Sequence, residues 1–161
     1  VIRHCFYAGI LRRGLLHDLS KYSPSEFIPG VRYYSGTRSP NEAERGVFGY
    51  SRAWLHHKGR NRHHFEYWTD YDPVRRCVKP VKMPIVFVAE MFCDRVAASK
   101  IYQGKNYTDS HPLEYFQSGK KNRFIHPETS DLIESWLIML KEKGEAETLR
   151  HIRLCVKNGR Y

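Results

Sequence analysis

Four of the nine histidines in this sequence form two adjacent pairs, His56–His57 and His63–His64, seven residues apart. Neutral imidazole is a frequent ligand of zinc, iron and other transition metals. The glycine turn between the pairs predicts that they fold toward each other, so that one histidine of each pair binds the same ion. Glu66 follows the second pair and is predicted to orient a ligating ring. The alternative is a basic loop whose exposed histidines bind phosphate or nothing.

A second polar pair, His17–Asp18, follows the apolar residues Leu15–Leu16. Adjacent residues on a helix point about 100° apart, but they can converge on an ion that lies at the helix end. A carboxylate next to a buried turn is costly unless it is paired or bound to a metal. Lys21 lies on the same face as Asp18 and is placed to hold an anionic substrate oxygen beside the metal. The alternative is a plain Asp18–Lys21 ion pair.

Asp94 lies in the clearest helical segment of the chain, between the apolar residues Phe92 and Val96. We expect its carboxylate to face inward. Glu90 precedes it by one turn and places a like charge on the same face, which a nearby cation would relieve. The alternative is an ion pair of Asp94 with Arg95 or with a distant lysine.

The order of these residues resembles that of the HD-domain superfamily, a helical fold named for its His-Asp pair. Members show the order H…HD…H…H…D, and HDxxK is common in the subgroup that handles anionic substrates. The segment HDLSK (17–21) is similar to that motif. The resemblance implies that Asp18 bridges to a second ion held by one histidine of each later pair. It implies that the first ion is held by His4, His17, Asp18 and Asp94.

Two further likenesses concern the later part of the site. The stretch His63–Glu66 is similar to the His-His-Glu stretch of the HD-GYP branch, although no Gly-Tyr-Pro follows, so a cyclic-dinucleotide phosphodiesterase is not supported. Most of the chain is also similar to a small bacterial and phage family of unknown function. The segments that carry this second likeness are AWLHHKGRN (53–61), FEYW (65–68) and MFCDRVAASK (91–100).

Three functions follow from these residues. The first is a metal-dependent phosphohydrolase of nucleotides or other phosphate esters, in which one or two divalent ions (Mn, Fe, Zn, Ni, Co or Mg) activate water. Asp18 or a nearby carboxylate would position that water, and the cations that would neutralise the phosphate are Lys21, Lys58, Arg60 and Arg95. The second is a diiron oxygenase, since some HD-fold enzymes with an HDxxK lysine oxidise polyols or phosphonates. The third is a non-enzymatic basic module that binds nucleic acid or a partner.

Length and composition limit the class of protein. The chain has 161 residues, 41% hydrophobic and 27% charged, which predicts one soluble domain over 1–161. It begins with Val1 rather than methionine, which is compatible with a missing N-terminal segment. A net charge of +10 favours an anionic partner, either a phosphorylated small molecule or nucleic acid. No apolar run approaches the ~20 residues that cross a bilayer, so we expect no membrane partner.

The four cysteines include no CxxC pair, so we expect buried thiols, no disulfides and a cytoplasmic location. Hydrophobic spacing, glycines and prolines predict an all-α fold of HD type with about six to eight helices. Residues 30–41 and 70–82 are predicted connections, a break is predicted at Arg12–Gly14, and no strand is predicted. The predicted helical segments are 1–12, 15–21, a short helix ending at Pro29–Gly30, 42–58, 63–68, 84–102, 112–117, 128–143 and 145–157.

Overall fold

The computed structural model describes residues 1–36 and 39–161, and the all-α prediction is confirmed. Thr37 and Arg38, part of the predicted connection 30–41, lie outside the described residues. In the part of the chain that is described there are eight α-helices: α1 (Ile2–Tyr7), α2 (Leu11–Leu16), α3 (Pro24–Arg32), α4 (Pro40–Phe48), α5 (Arg52–Arg60), α6 (Ile85–Gln103), α7 (His111–Gly119) and α8 (Pro127–Asn158). No helix within these described ranges is long and apolar enough to cross a membrane.

The chain divides into two compact units. The larger unit comprises Val1–His17 and Trp68–Tyr161, and the smaller unit comprises Asp18–Tyr67. The expectation of one domain over 1–161 stays a prediction.

The larger unit has an apolar core in which α6 and α8 pack on each other and on α1 and α7. Phe92 of α6 meets Trp136 of α8 edge to face, with ring centroids 6.3 Å apart. Other fully buried side chains of this core are Val88, Val96, Phe116, Ile133, Leu137, Leu140 and Ile152. Within α8 the backbone leaves the helical conformation at Gly144, with φ 79° and ψ 173°, which is the predicted break between two helical segments.

The prediction that residues 70–82 contain no strand was wrong. Thr69–Asp72 pairs antiparallel with Cys77–Pro80. The Asp72 side chain accepts hydrogen bonds from the backbone N–H groups of Val74 and Arg75, which closes the connecting turn. The hairpin is largely exposed, so its strands lack the apolar alternation that indicates a strand. Cys77 is exposed here, so the expectation of a buried thiol was wrong at that position.

Gly14 lies inside α2, so the break predicted at Arg12–Gly14 was wrong. Glycine allows α2 to approach α1 closely, because a Cβ atom built on it would lie 2.6 Å from Cys5 Cβ.

We expect Gly14→Ala to lower the free energy of unfolding by about 1–3 kcal/mol through overpacking. Gly46→Ala in α4 is the matched control, because its Cβ would meet nothing within 4 Å. It should stabilise by roughly 0.5–1 kcal/mol through helix propensity. Urea unfolding measures the change in stability of both variants. Equal changes for Gly14→Ala and Gly46→Ala would contradict a close approach at Gly14.

In the smaller unit α3 packs against both α4 and α5. The single helix predicted over 42–58 was wrong, because Gly49 at φ 77° ends α4. The side chain of Ser51 then accepts a hydrogen bond from Trp54 N and caps α5. The helix end predicted at Pro29–Gly30 was also wrong, since α3 continues to Arg32 with Pro29 inside it. The helical segment predicted over 63–68 is reduced to a short 3-10 turn over Phe65–Tyr67.

The interior of the smaller unit is polar. Of the eight residues buried in its described part, Ala53 is the one apolar member. The other seven are Asp18, Glu26, Glu44, Ser51, His57, Asn61 and His63. Buried polar groups are costly unless hydrogen bonds or ions compensate them. Fully buried apolar side chains therefore contribute little inside this unit, and polar contacts must compensate its buried polar groups.

Candidate functional site

Asp18, His57, His63 and His64 of the smaller unit each offer one ligand atom, and these four atoms lie within 4.8 Å of one another. The Asp18 Oδ1 atom is 3.3 Å from His57 Nε2 and 3.4 Å from His63 Nε2. His57 Nε2 is also 2.9 Å from His64 Nε2. All but His64 are buried. One carboxylate and three imidazoles therefore meet at one place, and we call this group the His/Asp cluster.

Two local features position the cluster residues: an unusual backbone conformation at Asp18 and a helix cap at Asn61. Asp18 adopts the left-handed conformation, with φ 56°, just before a 3-10 turn over Leu19–Tyr22. His57 lies in the last turn of α5, and Asn61 caps that helix. The Asn61 side-chain amide donates to Ser20 Oγ at 2.7 Å and to the His57 carbonyl at 2.9 Å. Asn61 therefore ties the end of α5 to the turn that follows Asp18.

Glu26 of α3 is shared between two adjacent histidines. Its Oε1 lies 2.6 Å from His56 Nδ1 and its Oε2 lies 2.7 Å from His57 Nδ1. Burial raises the pKa of Glu26, but hydrogen bonds from His56, Ser20 and His57 outweigh it and hold that pKa below its ordinary value. Glu26 is therefore an ionised carboxylate in contact with the first histidine pair. His56 lies on this carboxylate and is not a member of the His/Asp cluster.

Trp54 covers one side of the cluster. Its ring stacks on His57 with centroids 5.7 Å apart and meets His64 edge to face at 4.9 Å. The indole ring thus packs against two of the imidazoles of the cluster.

The cations predicted to bind substrate in the smaller unit have different environments. Lys21 Nζ lies 2.6 Å from Asp18 Oδ2, while 63% of the lysine side chain is exposed. The ion pair weighed as the alternative for these residues is therefore present. Arg60 is exposed and Lys58 is half-buried at the end of α5. Their roles in substrate binding stay predictions.

In the larger unit, the structure places His17 between Glu90 and Asp94. His17 Nδ1 is 3.2 Å from Glu90 Oε1, and His17 Nε2 is 3.3 Å from Asp94 Oδ1. Arg13 forms an ion pair with Glu90, which is 1% exposed. The Arg13 guanidinium thus offsets part of the like charge of these two carboxylates one turn apart on α6, and His17 lies between them.

The remaining predicted residues of the larger unit lie elsewhere within it. His4 Nε2 is 3.2 Å from Glu145 Oε1. Burial lowers the pKa of His4, although Glu145 opposes that shift. The Arg95 guanidinium lies over the Phe116 ring at 5.6 Å. The two units divide between His17 and Asp18, and an ion held by His4, His17, Asp18 and Asp94 stays a prediction.

Sequence reasoning missed the contact between Glu26 and the histidines. The segment SPSE (23–26) has the residue pattern of a helix-capping sequence, and α3 does begin at Pro24. The Ser23 side chain makes no capping hydrogen bond, however, and Glu26 turns to His56 and His57 instead. A glutamate near a helix start satisfies a local pattern, so nothing in the sequence connected it with residues 30 positions away. The sequence pattern predicts the orienting role for Glu66, which follows the second histidine pair.

Comparison with known proteins gives a family but no activity. The model of a family of unknown function (DUF5662) matches residues 1–139. No curated protein and no solved structure matches the chain.

Proposed function

Since this chain belongs to the DUF5662 family of unknown function, we propose its activity from its own residues: a metal-dependent hydrolase of the HD type that acts on a phosphate ester or nucleotide. The observation that carries the proposal is the His/Asp cluster. Four potential ligand atoms from Asp18, His57, His63 and His64 lie within 4.8 Å in a polar interior.

The donor set fits a divalent transition metal. His57 Nε2 and His64 Nε2 lie only 2.9 Å apart. At that distance the two nitrogens must either share a hydrogen bond or contact the same cation. A buried carboxylate next to them is stabilised by the same positive charge. Mixed imidazole and carboxylate donors suit zinc, iron, manganese, cobalt and nickel, whereas magnesium prefers oxygen donors alone. We therefore infer a transition metal rather than magnesium.

The residues around the cluster supply what hydrolysis of a phosphate ester needs. A divalent ion bound there would lower the pKa of a water molecule and polarise a phosphoryl oxygen. Asp18 would orient that water through its carboxylate. The exposed Lys21 would move from its ion pair to a phosphate oxygen, and Lys58 and Arg60 would add positive charge at the end of α5. The net charge of +10 would favour capture of such an anion.

Metal analysis followed by a substrate screen tests this proposal. We expect the purified protein to retain a transition metal. We also expect phosphate release from phosphate esters or nucleotides that stops on chelation and returns with Zn²⁺, Mn²⁺, Co²⁺, Ni²⁺ or Fe²⁺. The control is the same chelated protein supplied with Mg²⁺. Absence of both bound metal and metal-restored hydrolysis would overturn the proposal, and iron-dependent oxygen consumption without phosphate release would replace it with an oxygenase.

A further inference from the structure

Glu26 lies outside the His/Asp cluster, yet it contacts both members of the first histidine pair. We propose that Glu26 is a positioning residue that sets the tautomers of His56 and His57 together and so presents Nε2 of His57 to the cation. The proposal rests on the metal site proposed above and deepens it. It assigns His57 as the ligand of the first pair and His56 as the anchor of Glu26.

The hydrogen-bond partners determine which ring nitrogen of His57 carries the proton. An ionised carboxylate accepts hydrogen bonds and cannot donate them. Because Glu26 Oε2 is 2.7 Å from His57 Nδ1, that nitrogen must be the donor. Asn61 Nδ2 lies 3.1 Å from the same Nδ1 but directs its hydrogens to Ser20 Oγ and the His57 carbonyl. A neutral His57 ring is therefore protonated at Nδ1, and its Nε2 carries a lone pair.

The lone pair faces the cluster. His57 Nε2 is the atom that lies 3.3 Å from Asp18 Oδ1 and 2.9 Å from His64 Nε2. A carboxylate that accepts from the distal nitrogen of a ligating histidine also raises the basicity of the ligating nitrogen. Glu26 thus orients the ring and strengthens it as a ligand before any ion arrives.

His56 explains why Glu26 cannot turn away. Its Nδ1 donates to Oε1, the oxygen that His57 does not use, at 2.6 Å. With a histidine donor on each oxygen, rotation of the carboxylate would break a hydrogen bond inside a site where Glu26 is 7% exposed. The adjacent pair His56–His57 is therefore one functional unit in which each ring has a different role.

Glu26→Gln tests the proposal, because an amide offers one acceptor oxygen and one donor NH₂. One of the two histidines then loses its acceptor, and its proton moves to Nε2. His57 thus loses either the acceptor of its Nδ1 proton or the negative charge that raises the basicity of its Nε2. We expect Zn²⁺ affinity, measured by calorimetry, to fall about 10–100-fold. We also expect ¹⁵N NMR to show the Nε2–H tautomer in at least one of the two rings.

Glu44→Gln is the matched control. Glu44 is a second buried glutamate of the smaller unit, and its carboxylate accepts from Ser51 Oγ at 2.5 Å and from Ala53 N at 3.3 Å. This substitution also replaces a buried carboxyl group with an amide of similar shape. It should leave the tautomers of His56 and His57 unchanged and the Zn²⁺ affinity within about twofold, a change worth ~0.4 kcal/mol.

The metal-free wild-type protein keeps the proposal testable if Glu26→Gln does not fold. At a pH where the rings are neutral, NMR should show Nδ1–H in both His56 and His57. Nε2–H in His57, or unchanged Zn²⁺ affinity in a folded Glu26→Gln variant, would overturn the proposal. If both rings carry Nδ1–H but the wild type binds no Zn²⁺, the tautomer assignment stands and the metal site fails.

Discussion

Asp18→Asn should abolish retention of the metal and the associated hydrolysis while leaving a folded helical protein. The substitution replaces the anionic ligand of the His/Asp cluster with a neutral amide that is close to it in shape. Without that charge, only imidazoles compensate a divalent ion in a buried place. We expect Zn²⁺ affinity to fall by more than the ~10–100-fold that an outer partner contributes. Calorimetry with Zn²⁺ and metal analysis of the purified variant measure the effect.

Three substitutions, Asp18→Asn, Asp18→Gly and Asp18→Ala, separate the effect of losing the carboxylate from the effect of straining the backbone. Asp18 holds φ at 56°, a conformation that asparagine tolerates and glycine adopts freely. Alanine there costs roughly 1–2 kcal/mol in backbone strain. All three variants should lose the metal alike, whereas urea unfolding of the metal-free proteins should find Asp18→Ala the least stable. A folded variant with full metal content would count against Asp18 as a ligand.

Removal of the metal should loosen the smaller unit and leave the larger one intact. The buried set of Asp18–Tyr67 is almost wholly polar, so the proposed cation would supply stability that fully buried apolar side chains do not. With free metal at about 100 times its Kd, binding stabilises the unit by ~2.7 kcal/mol. Amides of α5 should therefore exchange with solvent about 100-fold faster after chelation if they exchange through opening of this unit.

The larger unit provides the internal control for that experiment. Helix α6 belongs to an apolar core with Phe92 and Val96 fully buried, and its amides should keep their protection without metal. Hydrogen exchange followed by mass spectrometry reads both helices in one sample. Equal loss of protection in α5 and α6, or no loss in either, would contradict a metal contribution confined to the smaller unit.

Local patterns in the sequence identified most helices because those patterns depend on neighbouring residues. Hydrophobic spacing over 84–102 predicted α6 within one or two residues of its observed bounds. The same kind of reasoning failed at Gly14, where the residue meets Cys5 of another helix rather than breaking its own. It failed again at the hairpin, whose turn is closed by the Asp72 side chain and whose strands bury little.

The sequence by itself identified an all-α chain, because helical periodicity depends on neighbouring residues. It also identified histidines and carboxylates suited to a metal, because their chemistry depends on residue type. The tertiary structure decided which of the paired histidines meet Asp18. It brought Asp18 to His57, His63 and His64, and it turned His56 to Glu26. The reason is physical: the distance between side chains on separate helices depends on how those helices pack, and no neighbour in the chain determines that packing.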